Sequence, residues 1–394
     1  MSTQPATVVK PLVRAITGFV RINRDTYEAL LEDALVTLNM VKTEFESEGF
    51  EVDTVRVTTP PLLEIVGQMP VDQALTVLGK IDDLAKSHHF VFNAGPAMQH
   101  DDDDPSIMSL VEQALSSFSN IQTSVIIADI DQGIHWETIR LSADVVRYIS
   151  EHSPRSQGNL RFAALAMANP YSPFYPGSYF TEKGEQFAIG LECANVVQDV
   201  LVQDKGKFAS ALAELTSRLS QSRSTADAVV TKVGQETPWN CAGLNLVLSS
   251  VGSISVAGAI EAYTGEHFGS PGTLTAVRMI TQAMQPVDPG GNSILPFPVV
   301  EEELLARRWA ENTYGIDSLL AYAAMGSTGL DAIPLPGEIH PGQLKRILSD
   351  VAVLANKWNT PLSARLVPVA GKAAGDRTDF NDPSFVNTTV HALP

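Results

Sequence analysis

Cysteine is nearly missing from this chain: Cys193 and Cys241 are the only two among 394 residues, far apart and in no paired spacing. That excludes a disulfide framework and a cysteine zinc site, and a reducing, cytoplasmic setting is expected. Basic residues are also scarce, with 27 Lys and Arg against 45 Asp and Glu, a formal net charge of −18, and no basic cluster. Nucleic-acid binding is therefore not expected, because it depends on neutralising phosphates with a basic surface. Long apolar runs are absent as well. Phe162 to Ala168 is among the longest, far short of the roughly 20 residues that cross a bilayer. The polar start Met1 to Pro5, followed by Lys10 and Arg14, does not read as a signal peptide, and no membrane partner is expected. Walker and dinucleotide loops, a flavin signature, a Ser-His-Asp motif and a thiol pair are all missing.

What is present is a large apolar fraction, 44%, distributed as alternating strands and helices. Strands are expected at Val13–Val20, Val52–Thr58, His89–Asn93, Thr123–Ala128, Asn159–Ala168, Gln186–Cys193 and near Asp227–Val233. Helices are expected from Asp25 to Gly49 and at Val71–Lys86, Ser106–Phe118, Trp136–His152, Lys205–Arg223, Leu274–Met284 and Pro341–Trp358. The class is α/β.

The stretch from Ala324 to Gly337, AMGSTGLDAIPLPG, is expected to be the centre of the molecule. Gly326 and Gly329 bracket Ser327 and Thr328, and Pro334 and Pro336 stiffen the exit; glycine serves where φ is positive or another group comes close. Asp331 is a lone acid in an apolar run, where a free charge is costly. An active-site loop and a well-made helix-to-strand connection both fit.

A second candidate lies at the end of the strand Thr123–Ala128, where Asp129, Asp131 and His135 follow one another. Strand C-terminal ends are where α/β folds display ligand groups; equally, Asp131 could cap the next helix. The acidic run Asp101–Asp104 reads as a solvated helix entry, lacking the spacing of a calcium loop. The loop Asn169–Tyr179, with three prolines and three tyrosines, suits a pocket wall. Glu192 enters an apolar strand, and Gly272-Thr273 opens a helix whose N-terminus could hold an anion. Glu301 to Glu303 are expected to cap the helix that follows.

Val13–Phe19, Asn169–Tyr179, Phe187–Leu191, Phe268–Thr273, Leu295–Glu302, Gly329-Leu330-Asp331 with Ile333–Gly337, and Arg365–Thr378 together resemble the family called domain of unknown function 711. The resemblance spans nearly the whole chain. It implies the ten-stranded α/β barrel of pyruvate formate-lyase and other glycyl radical enzymes, with loops entering the barrel. One domain over residues 1–394 is expected, with a partly irregular tail at 376–394. The chain departs from that pattern where function is concerned. It lacks a C-terminal radical-glycine motif, has Gly326-Ser327 where many members carry a cysteine beside glycine, and has Tyr179-Phe180 where relatives often have histidine. Radical chemistry is not expected.

The expectation is instead a redox-neutral acid–base enzyme, an isomerase or lyase performing an intramolecular addition or an elimination on a small aromatic or carboxylate substrate. Asp331 or Glu192 would be the base, with burial raising its proton affinity, and His135 or Tyr179 the acid. Gly272 and Thr273 would hold an oxyanion, and Ser327, Thr328, Tyr175 and Asn169 would contact substrate. No cofactor is required. A divalent metal on Asp129, Asp131 and a further acid is the variant, giving a metal-dependent lyase or hydrolase. A non-catalytic ligand-binding or regulatory protein is the other class. The expected partners are a small-molecule substrate and a second copy of the chain, as a homo-oligomer, with a dimer favoured.

Overall fold

A computed structural model of the chain describes residues 11–175, 177–180 and 185–393. Met1 to Lys10, including the polar start discussed above, and Pro176 of the aromatic loop lie outside them. In chain order the elements are β1 (Leu12–Phe19), α1 (Tyr27–Ser47), β2 (Glu51–Thr58), α2 (Leu62–Val66), α3 (Val71–His88), β3 (Val91–Pro96), α4 (Ile107–Ser117) and β4 (Ile121–Asp129). There follow β5 (Gly133–Ile134), α5 (Trp136–His152), a 3₁₀ segment (Pro154–Arg161), β6 (Phe162–Ala166), β7 (Gln186–Glu192), α6 (Ala194–Gln203), α7 (Phe208–Glu236) and β8 (Asn240–Val247). The last third comprises α8 (Val256–Thr264), α9 (Thr273–Met284), α10 (Glu303–Ala310), α11 (Ile316–Ala323), β9 (Gly329–Pro336), α12 (Pro341–Trp358) and β10 (Leu362–Val369).

The strands form one ten-stranded sheet in the order β8-β7-β1-β2-β3-β4-β6-β10-β9, with the short β5 on β4. Most neighbours are parallel, but β1–β7 and β6–β10 are antiparallel. Side chains alternate across the strands, so each strand feeds two separate apolar layers. On β6, Phe162, Ala164 and Ala166 join the main core, while Ala163 and Leu165 join Ile126 in a small cluster against Ala168 and Tyr175 of the following loop. The aromatic loop thus covers one face of the sheet. The extended segment around residues 294–299 bonds to both edge strands. Leu248 N donates to Ile294 O, Thr328 N to Leu295 O, and Val299 N to Asp331 O.

Several elements depart from the sequence reading. The segment Asp227–Val233 is not a strand but the second half of α7, because Ala226, Val229 and Val233 extend the buried stripe of Leu215 and Leu219 at helical spacing and nothing breaks it before Thr237. The strand expected from Asn159 begins only at Phe162, after the 3₁₀ segment. The proline-rich exit of the central stretch is itself strand β9. It tolerates Pro334 and Pro336 because it is an edge strand, whose outer side is bridged at Asp331 by Pro298 but not at either proline. The tail from residue 376 has no long element, yet it is tied down: Arg377 pairs with Thr389, and His391 stacks on Trp309 at 4.4 Å between ring centroids.

Candidate active site

A cavity of about 390 Å³ lies where the central stretch, the aromatic loop and residues 288–301 meet strand residues of β1, β2, β4, β6 and β10. Part of its charged wall is set by local irregularities in the strands. Along the β1–β7 pair the register slips between Val13 and Ala15, so Arg14 sits at a bulge. On β9 the register slips between Leu330 and Ile333, and Ala332 takes a positive φ of 52°. Bulges of this kind re-aim a side chain next to functional sites, and here they mark Arg14 and Asp331, which both line the cavity.

Arg365 lies between two carboxylates, with Nε 2.5 Å from Asp331 Oδ1 and a terminal nitrogen 2.9 Å from Glu301 Oε1. Burial works against its charge, but Asp331 and Glu301 outweigh it and raise its proton affinity further. The guanidinium also stands 5.9 Å from the centre of the Tyr175 ring. Arg14 is paired with Asp53 at 2.8 Å. Arg56 differs from both. Its Nε donates to Thr54 Oγ1 at 3.2 Å, and it forms no ion pair among the described residues. Burial, and then the neighbouring Arg14, bring its pKa down to about 10 against the opposing pull of Asp53 and Glu301, so it remains charged at neutral pH.

The neutral polar groups of the wall have unused capacity. Tyr175 Oη, Gln122 Oε1, Ser327 Oγ and Thr328 Oγ1 are buried with no hydrogen-bond partner among the described residues, and all four residues line the cavity. Burial pushes the Tyr175 phenol well above its ordinary value, so it stays a donor at any working pH. Ser249 also lines the cavity and donates its Oγ hydrogen to Glu192 Oε2. Glu192 stands behind it and accepts from the backbone N–H groups of Ala194 and Ser249 at 2.9 and 3.1 Å. Despite these bonds, burial pushes its carboxyl up to about 7.

Residues 9–381 match the family profile described as "Uncharacterised ACR (DUF711)". The chain belongs to this family. Among its relatives, a "UPF0210 protein" of Pyrobaculum aerophilum is 28% identical over 90% of this chain and 82% of its own length. Another, from Leuconostoc mesenteroides, is 24% identical over 84% of this chain and 77% of its own. Of solved structures, the anaerobic ribonucleotide reductase from Thermotoga maritima with citrate in the active site aligns over 90% of this chain and 80% of that one, at 8% identity and a TM-score of 0.46. At those values the structural likeness carries no functional argument.

The residues singled out from the sequence of this DUF711 chain do not all meet. Asp331, Ser327, Thr328, Tyr175 and Asn169 line the cavity, and Glu192 reaches it only through Ser249. Asp331 is not a lone acid, since β10 lies beside β9 and brings Arg365 to it. His135 and Tyr179 are elsewhere: His135 is buried against Asp129, and Tyr179 donates its hydroxyl to Ala168 O at 3.0 Å. Gly272 and Thr273 are also distant. It is the other end of α9 (Thr281, Met284) that lines the cavity, about 12 Å further along the helix. Thr273 Oγ1 is already used within its own turn, accepting from Gly269 N at 3.0 Å. Asp131 is exposed and does not cap α5; Asp101 does, accepting from the Glu137 and Thr138 N–H groups at 3.1 and 2.8 Å. Asp101 is therefore more than a solvated charge. Glu301 does not cap α10 but pairs with Arg365, and Glu302 accepts from Ser255. Neither cysteine lines this cavity, and burial pushes both thiols up, Cys241 to about 11.

Arg56, Arg14, Arg365 and Ser249 did not emerge from the sequence reading. A signal for Arg56 does exist. Thr54, Arg56 and Thr58 alternate with the buried Val55 and Val57, which places a polar row on the strand face away from the main core.

Proposed function

We propose that the chain is an enzyme for a small carboxylate substrate, an isomerase or lyase working by redox-neutral proton transfer. The observation that carries this reading is Arg56, a charged guanidinium on the wall of a half-open cavity, with no ion pair of its own among the described residues. A substrate carboxylate would supply that partner as a charge-assisted, bidentate pair. Leu165, Phe174, Met284 and Ile294 on the same cavity accommodate an aliphatic or aryl body.

Glu192 and Ser249 supply the base. The proton leaves a substrate carbon for Ser249 Oγ while the Ser249 proton passes to Glu192, whose pKa of about 7 suits both directions of transfer near neutral pH. The electron pair left on carbon is delocalised onto the adjacent carbonyl oxygen. There the Tyr175 phenol, held protonated by burial, donates a hydrogen bond. Return of the proton at another carbon completes an isomerisation; loss of a leaving group completes an elimination.

The test is a panel of small aliphatic and aryl carboxylates, screened first for binding by thermal shift and then for deuterium wash-in from D2O by proton NMR. At least one binder should exchange. Ser249→Ala should slow exchange by about 10²–10⁴-fold, and Arg56→Gln should raise the half-saturating concentration. Binders that never exchange would leave a ligand-binding protein and defeat the enzymatic reading.

A further inference from the structure

Away from the cavity, the carboxyl end of β4 gathers a second group of chemically able side chains that the proposed reaction does not use. His135 is 1% exposed. Its Nδ1 lies 2.9 Å from the carbonyl oxygen of Ile126, a contact that requires a hydrogen on Nδ1. In the neutral ring Nε2 therefore carries the lone pair. Nε2 is buried without a hydrogen-bond partner, although Asp129 Oδ2 is only 3.1 Å away. Two acceptors facing each other at that distance repel unless a cation lies between them. A proton would need to lie near the N···O line, and this pair is outside hydrogen-bond geometry. A metal ion has no such need, because each donor points at the ion and not at the other donor.

We infer that His135 Nε2, Asp129 Oδ2 and His100 Nε2 form a binding site for a divalent transition ion of the zinc class. At the usual zinc–nitrogen and zinc–oxygen bond lengths of about 2.1 Å, two ligands of one ion stand roughly 3.1–3.4 Å apart. The Asp129–His135 pair has that spacing. His100 Nε2 is 4.0 Å from the same Asp129 oxygen, on a side chain that is 42% exposed, and its ring centroid stands 6.1 Å from that of His135, so His100 would turn toward the ion on binding. Two imidazoles and a carboxylate are a borderline donor set, suited to zinc more than to magnesium or calcium.

The supports behind these ligands are those of a built site. Asp129 Oδ1 accepts from the backbone N–H groups of Asp131 and Gln132 at 2.8 and 2.6 Å, which leaves Oδ2 for the ion. The Nδ1–H of His135 is anchored on a carbonyl, the arrangement that orients a metal-ligating histidine. Asp103 holds the backbone of the third ligand, accepting from His100 N at 3.0 Å. Asp131 contributes its backbone and not its exposed carboxylate, so the Asp129–Asp131 pairing expected from the sequence is replaced by Asp129–His135–His100.

The experiment uses the full chain without a tag, stripped with EDTA and titrated with Co²⁺ and then Zn²⁺. It is followed by visible absorption and, after desalting, by metal analysis. The expected result is about one ion per chain, a ligand-field band that zinc abolishes, and binding weakened at least about tenfold in His100→Ala and in Asp129→Asn. Both positions are partly exposed, and circular dichroism checks the fold of each variant. Asp131→Asn should bind as the native chain does. Sub-stoichiometric metal, binding unchanged in His100→Ala and Asp129→Asn, or equal loss in Asp131→Asn would each overturn the site. So would NMR evidence that His135 Nε2 carries a hydrogen in the presence of excess zinc.

Discussion

Glu192 is 7% exposed, and its nearest donors are two backbone N–H groups and one serine hydroxyl. Desolvation outweighs them and lifts its pKa to about 7, against about 4.3 in an unfolded chain. Between those values the folded state keeps a proton that the unfolded state has released. Stability must then fall as pH rises from about 4.3 to 7 and level off above, by up to about 4 kcal/mol. Glu192→Gln removes the titration, so its stability relative to the native chain should improve on going from pH 5 to pH 8. Urea denaturation at four pH values checks this, and parallel profiles would show that Glu192 does not hold its proton. Glu192 was visible in the sequence as one acid in an apolar strand. Its partner was not, because Ser249 is 57 residues away and meets it only through the pairing of β7 with β8. The Asp331–Arg365 pair was hidden for the same reason, since 34 residues separate two side chains that adjacent parallel strands bring to 2.5 Å.

Elements with a complete local signal were legible: α5 runs from Trp136 to His152 as its apolar period implies, and β7 carries Glu192 at its end. What local pattern could not show was where a strand bulges, and the bulges bring Arg14 and Asp331 to the cavity. The glycines of the central stretch are an intermediate case. Gly326 and Gly329 both take positive φ, 108° and 111°, as their spacing around Ser327 and Thr328 suggested. At Gly329 the constraint is doubled, because an added Cβ would lie 2.4 Å from Ser363 O on β10. Gly329→Ala should therefore destabilise the fold by about 3 kcal/mol, combining backbone strain with a clash against main chain. Gly206→Ala is the control. It shares the positive φ, 70°, but has open space where the Cβ would go, so it should cost only about 1 kcal/mol. Equal melting-temperature losses in the two variants would mean that φ alone matters and that the β9–β10 contact can give way.

For the whole molecule, a formal charge of −18 surrounds a cavity whose wall carries Arg14, Arg56 and Arg365 beside Asp288, Glu301 and Asp331, with Arg56 the guanidinium that has no ion pair among the described residues. Among the described residues no helix is long and apolar enough to cross a membrane. The contrast between the acidic exterior and the guanidinium-bearing interior makes a prediction that separates an enclosed anion site from an ordinary basic surface patch. Exposed charge pairs weaken as salt shortens the Debye length from about 30 Å at 0.01 M to about 8 Å at 0.15 M, whereas contacts inside a partly closed cavity are screened far less. Meanwhile the repulsion between the acidic exterior and an approaching anion acts over the longer distance and is screened first. A carboxylate held by Arg56 should thus bind as well or somewhat better at 0.15 M ionic strength than at 0.01 M, with the gain in the association rate. Calorimetry and stopped-flow binding at the two ionic strengths decide the matter. A tenfold loss of affinity on adding salt would place the anion on exposed charges outside the cavity, and would remove Arg56 from its role as the anchor.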